Sequence, residues 1–202
     1  MATLTGLTAR QLETIERSFK LGGQATLLDV GCGDGAWVGK LRARGVDAVG
    51  VDDPASEAPQ ADGILKQMIA ANLSVPVHTR DVALIRGAMV FEDSRNTPET
   101  TIALANILAT LKPGGSLLCA VPDEATAIEF WQQRLAPFRL TGAIKTWGTG
   151  IQAWLSLAPL LRPGGAVSLL EFPLAMQPLS KLEWHRLARE AVMPTRSTPH
   201  AA

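Results

Sequence analysis

Residues 25–53, "ATLLDVGCGDGAWVGKLRARGVDAVGVDD", set two short apolar runs on either side of a glycine-rich turn and a helical stretch. The first run, 25–30, is brief, apolar and closed by glycine, the pattern of a buried strand. Residues 35–44 read as a helix. Residues 46–51 read as a second strand that ends on Asp52 and Asp53, with Pro54 imposing an extended or turn conformation on the residue before it. Strand, helix and strand within about 30 residues make a parallel βαβ unit. Ligands of such sheets collect at the carboxyl ends of the strands, where Gly31, Gly33 and Gly35 lie. Three glycines at alternate positions exceed what a tight turn needs, and they bring backbone N–H groups against a ligand with no Cβ in the way.

Working outward, residues 8–20 predict an N-terminal helix, with Thr8 three residues ahead of Gln11 in capping-box spacing and Leu12, Ile15 and Phe19 at helical intervals. A short third strand is expected over 63–68, because a doubly wound sheet needs one between its second and fourth strands. Strand four is expected over 81–87, a helix over 98–111, a "KPGG" turn, strand five over 116–122 and a helix over 123–138. Residues 139–147 and 166–173 read as strands six and seven, with an insertion at 147–165 between them. Residues 178–192 predict a final, exposed helix. The expectation is therefore one domain over residues 1–193 and a disordered tail at 194–202.

The 202-residue chain is 47% hydrophobic, and its 19 basic and 19 acidic residues cancel. Such a chain has no basic excess to hold a nucleic-acid backbone. No apolar run reaches the roughly 18 residues of a membrane helix. Cys32 and Cys119 are the only cysteines, and no secretory start is evident, so a soluble cytoplasmic protein is expected. Oligomeric state is left open.

The ligand of the glycine turn is narrowed by spacing and charge. In a dinucleotide-binding Gly-x-Gly-x-x-Gly turn the third glycine would fall where Ala36 stands, so a nicotinamide cofactor is disfavoured. Asp29 and Asp34 bracket the turn, and two carboxylates suit a cationic ligand better than a diphosphate. S-adenosylmethionine carries a sulfonium and an ammonium and no phosphate.

"LLDVGCGDGAWVGKL" followed by "VGVDD" resembles the first two motifs of class I S-adenosylmethionine-dependent methyltransferases. "DVALIRGAMVFED" and "PETTIALANILATLKPGGSLLCAVP" resemble strand four, its following helix and strand five in the small-molecule, type 11-like branch of that family. The resemblance covers residues 24–125. It implies an α/β, seven-stranded Rossmann-like sheet with helices on both faces and the last strand antiparallel.

It also implies a site. Asp29 would organise the glycine turn beside the methionine part of the cofactor, and Gly31, Cys32, Gly33 and Gly35 would supply the close backbone surface. Asp52 would accept hydrogen bonds from both ribose hydroxyls, since an ionised carboxylate accepts two donors at once. Asp53 is its neighbour, with a solvated turn as the alternative role. Arg86 and Gly87 would form the end of strand four, with the backbone beneath the cofactor. Many relatives carry an acid after strand three for the adenine amine, and this chain has none. Gln67 could accept in its place, with Met68 or Ile69 packing on the ring.

The implied reaction is in-line displacement of a methyl group onto a small-molecule acceptor, for which alignment supplies much of the rate. Glu92 is the candidate base or substrate contact, with a solvated acidic turn as the alternative. Glu92, Asp93 and Asn96 are also oxygen donors, but no metal is expected. His78 and His185 are too isolated to form a catalytic or metal set, and His185 is expected at the surface. Trp147 and Trp154, in the insertion, are candidate walls for the acceptor or packing residues of a lid. The rival function is a non-catalytic module that keeps the fold and acts through a partner.

Overall fold

In the computed structural model, residues 7–56, 62–91, 97–122, 125–140, 167–176 and 179–192 are described. The chain runs α1 (Ala9–Ser18), β1 (Leu27–Val30), α2 (Ala36–Ala43), β2 (Ala48–Asp52), β3 (Ile64–Lys66) and β4 (Arg80–Ile85). It continues through α3 (Pro98–Thr110), β5 (Leu111–Pro122), α4 (Ala125–Leu135), β6 (Val167–Pro173) and α5 (Lys181–Val192). Short 3-10 turns follow β4 at Met89–Phe91 and α4 at Ala136–Phe138.

The strands lie in the order β3-β2-β1-β4-β5-β6. The first five are parallel, and β6 runs antiparallel to β5 with Leu118 opposite Glu171. Stepping outward from β1 in both directions creates a switch point between β1 and β4, the place where sheets of this kind hold their ligands, at the carboxyl ends of the strands. Alternation along β5 divides the core: Leu117, Cys119 and Val121 face the α3, α4 and α5 side, while Leu118 and Ala120 face α1 and α2.

Six strands stand among the described residues, where seven were expected. The run expected as strand six opens on Arg139 and Leu140, a turn and a coil residue; the rest of it lies outside the described residues, as does the insertion at 147–165. The expected seventh strand is β6, and its antiparallel direction agrees with the expectation. The expected "KPGG" turn is instead drawn into β5, where the pairing register with β4 shifts between Arg80 and Val82.

The final helix is not an exposed one. Trp184, Leu187 and Ala188 are buried, and their i, i+3, i+4 spacing forms a stripe that packs along α3. Thr8 caps α1 reciprocally with Gln11, as its spacing predicts. No described helix is long and apolar enough to cross a membrane.

Candidate cofactor crevice

The turn after β1 is built by backbone geometry. Gly31, Gly33 and Gly35 adopt φ of 74°, 60° and 70°, in the left-handed region that favours glycine. Their reasons differ. A Cβ on Gly31 would fall 0.9 Å from the carbonyl oxygen of Gly87, so the protein's own chain excludes a side chain there, not a ligand. Gly31 and Gly87 thus meet as two bare backbones, locking β1 to β4. A Cβ on Gly33 would have no heavy atom within 4 Å, so this is the turn position left open above the crevice. Gly35 caps α2 and donates its N–H to the Cys32 carbonyl at 3.2 Å.

Asp29 is fully buried, and Arg86 meets it with both teeth of its fork: Nε to Oδ1 and Nη2 to Oδ2, each at 2.8 Å. Nη2 also donates to the Cys32 carbonyl at 2.9 Å, tying the turn to the end of β4. Burial raises the Asp29 pKa against the lowering pull of Arg86. For Arg86, burial works to lower the pKa and Asp29 more than offsets it, so the guanidinium stays charged. The Trp37 ring lies 5.8 Å from this guanidinium, and Trp37 donates its indole N–H to Glu16 of α1 at 2.7 Å. The N-terminal helix is thereby linked to the glycine turn.

Cys32 turns its side chain inward. Burial, followed by the charges of Asp29 and Asp52, pushes its thiol up to about 12, so it stays protonated and serves as packing.

At the other end of the crevice Asp52 closes β2. Its Oδ2 accepts from Lys66 Nζ at 3.3 Å, and Lys66 also donates to the Ser56 carbonyl at 3.2 Å. Among the described residues Oδ1 has no hydrogen-bond partner. Asp53 takes the turn role, accepting from Ala55 N–H at 2.8 Å, and Asp34 accepts from Ala36 N–H at 3.0 Å. The carboxylates are therefore not a bare negative lining. Asp29, one of the two carboxylates that bracket the turn, meets Arg86 just past β4, and Asp52 meets Lys66 of β3, so Asp29 does not face a ligand as a bare negative charge.

Beyond β3, Met68 is 63% exposed beside the crevice, whereas Ile69 is buried in the core and cannot pack on a bound ring. The Gln67 side-chain oxygen accepts from Ser74 N–H at 3.3 Å, so the expected acceptor for an adenine amine already braces its own loop. Asn106 of α3 donates to the Ile69 carbonyl at 2.7 Å and meets His185 Nε2 through its Oδ1 at 2.9 Å. His185 is thus half-buried and bonded, not a surface residue, and with Asn106 it braces the loop that carries Met68. Lys66, Asn106 and the side-chain role of Arg86 escaped the sequence reading. The one available signal was that a buried Asp29 needs a partner.

Glu92, Asp93 and Asn96 lie outside the described residues, as do Trp147 and Trp154. Among the described residues no cluster of three or more metal-ligating side chains occurs.

A family profile described as a methyltransferase domain matches residues 6–191. The chain belongs to this methyltransferase domain family. Solved structures share its fold at low identity. A putative S-adenosyl-L-methionine-dependent methyltransferase from Methanococcus maripaludis is 14% identical with TM-score 0.55, over 84% of this chain and 86% of the other. An S-adenosylmethionine-dependent methyltransferase from Mesorhizobium loti is 13% identical with TM-score 0.55, over 82% and 98%. The 1,6-didemethyltoxoflavin-N1-methyltransferase of Burkholderia thailandensis, solved with 1,6-didemethyltoxoflavin and S-adenosylhomocysteine, is 17% identical with TM-score 0.55, over 81% and 76%. No curated protein sequence matches the chain. S-adenosylmethionine is the cofactor that family and fold together support.

Proposed function

We propose that this methyltransferase-family chain transfers a methyl group from S-adenosylmethionine to a small-molecule acceptor. The observation that carries the reading is the pairing of an open, left-handed Gly33 with Asp52, whose Oδ1 is unpaired among the described residues, at adjacent strand ends.

The residues present fit such a cofactor. Gly33 would offer bare backbone, Asp52 would accept from the ribose, and exposed Met68 would pack on the adenine face. The bound cofactor would supply an electrophilic methyl group on a sulfonium. The chain's part is to hold and align: the Asp29–Arg86 fork and the Gly31–Gly87 crossing keep the turn in one geometry, and alignment of reactants accounts for much of such a reaction's rate. Glu92, in the segment after β4, is proposed as the group that accepts a proton from the acceptor or contacts it.

Titration calorimetry with S-adenosylhomocysteine and with NAD tests the cofactor reading. Binding of the first and not of the second is expected; the reverse ends it. Transfer of labelled methyl to a metabolite extract then separates an enzyme from a non-catalytic module, which would bind without transferring.

A further inference from the structure

Arg80 leaves open the guanidinium edge that Arg86 closes on a carboxylate. In Arg86 that edge, Nε with Nη2, grips Asp29. Arg80, the first residue of β4, engages only Nη1, which donates to Asp47 Oδ1 at 2.8 Å and to the Asp47 carbonyl at 3.2 Å. Its Nε is sealed from solvent without a partner, and Nη2 beside it, which is not sealed, meets no acceptor among the described residues. Exposure within the pair is unequal: the Arg80 side chain is 7% exposed and that of Asp47 58%. The anion stands in water, where screening weakens its hold, while the cation has lost most of its hydration.

Arg80 also lines a pocket of about 190 Å³ toward the amino ends of β2, β3 and β4, away from Asp52 and Gly33. The pocket has a cause in the chain. A helix follows β1 and another precedes β5, but residues 67–79, between β3 and β4, form turns without a helix. Val49 of β2 and Leu65 of β3 are therefore only half-buried, and Val75 and Pro76 complete an apolar wall around them. A register shift in β4 between Arg80 and Val82 breaks the alternation of the strand, so Val82 joins the core on the α1 and α2 side while Arg80 lies beside Val49 and Leu65. Of the described residues that line the pocket, Arg80 alone is charged. An apolar concavity with one placed charge is the form of a small-ligand site.

We propose that this pocket is a second ligand site, separate from the cofactor crevice, and that it takes a short aliphatic monocarboxylate, its acid meeting Nη2 on the free edge of Arg80 and its hydrocarbon packing on Val49, Leu65 and Val75. The volume equals that of roughly six molecules of liquid water, room for an acid of about five carbons. A second acid group on the ligand would be set against the apolar wall, and a neutral molecule would forgo the charge-assisted bond. The assignment does not depend on the cofactor reading.

Methyl NMR spectra of the full chain, titrated with 3-methylbutanoate and with 3-methylbutanamide, test it, because the two compounds share a hydrocarbon and differ in charge. The acid is expected to shift the Val49, Leu65 and Val75 methyl resonances with a dissociation constant on the order of 1 mM, the scale for so small a ligand. The amide should bind about 10-fold more weakly or worse. In Arg80→Met, which keeps an apolar stem and leaves only exposed Asp47 unpaired, the two affinities should come within about threefold of each other. Val49→Phe, which fills the pocket with Arg80 in place, should abolish both responses. No response to the acid up to about 20 mM overturns the site, as do equal affinities in the unaltered protein, shifts confined to the crevice, or a preference that persists in folded Arg80→Met. If that variant does not fold, undiminished binding of the acid in Val49→Phe overturns it instead.

Discussion

Two acid–cation pairs stand at opposite ends of one crevice, and they differ in kind. Asp29 and Arg86 meet through two bonds of 2.8 Å with the acid sealed from solvent. Asp52 and Lys66 meet through one contact of 3.3 Å, and the lysine is shared with a backbone carbonyl. The first has the geometry of a scaffold, since removing either partner would strand a buried charge. The second leaves one carboxylate oxygen without a partner among the described residues, the condition a hydrogen-bonding ligand needs. A carboxylate's place in a motif does not tell which it is; the partner and the burial do.

The contrast can be broken most forcefully at the scaffold end. Gly31→Ala sets a methyl group into the Gly87 backbone at a positive φ, and should cost about 4 kcal/mol or more, read as a loss of urea midpoint or of folding. Gly33→Ala carries the same φ penalty without the clash. It should cost about 1 kcal/mol, with its larger effect on cofactor affinity. Equal costs would mean the Gly31–Gly87 crossing is not a constraint.

Asp29→Ala should destabilise the chain by about 3 kcal/mol in the same assay, because Arg86 is left largely buried without its partner. Asp52→Ala should cost less stability than Asp29→Ala, because Lys66 keeps its bond to the Ser56 carbonyl, and should weaken S-adenosylhomocysteine binding by about 1.5 to 3 kcal/mol in calorimetry. Should the two variants exchange these effects, the distinction between scaffold and ligand-facing carboxylate is gone. Lys66→Met should destabilise by about 1 to 2 kcal/mol, less than Asp29→Ala, because only one contact of 3.3 Å is lost although both partners are largely buried.

A third pair sharpens the comparison through pH. At the amino edge Asp81 accepts from Lys112 Nζ at 2.8 Å and from Thr26 N–H at 2.8 Å. Burial alone would raise its pKa, but the bonds from Lys112 and Thr26 outweigh that and hold it below the usual carboxylate range. Its stabilisation is therefore present above the unfolded pKa of about 4 and is lost as pH falls through the folded value. Asp29 has the opposite sign: with its pKa raised, its contribution is largest at low pH and declines as pH rises through the folded value. Between about pH 6 and pH 3 the urea midpoint of Asp81→Asn should therefore fall less, relative to its own value at pH 6, than that of the unaltered protein. An unaltered slope would place the acid sensitivity elsewhere.

Much of the fold was legible from short-range pattern. The spacing of Leu12 and Ile15, the glycine turn between two apolar runs and the placement of Asp52 each follow from local periodicity and turn chemistry, and each has its counterpart in the structure. The site was legible less evenly. Asp34 and Asp53 could be named as acids near the turn, but their engagement with Ala36 and Ala55 N–H shows only in the folded loops. Gln67 looked free to accept until Ser74 came within reach of it. The final helix looked exposed because its apolar stripe is only three residues wide, and α3 supplies the surface that covers it.

The chain by itself determined the βαβ order, the left-handed turn and the acid at the end of β2, since these depend on residues a few positions apart. The tertiary structure alone decided that Asp29 belongs to Arg86, 57 residues away, and that Gly31 is bare because of Gly87. Only it decided that His185 reaches Asn106, 79 residues earlier. The physical reason is that a buried polar group must find a partner, and nothing in its local sequence says which distant strand or helix will bring one.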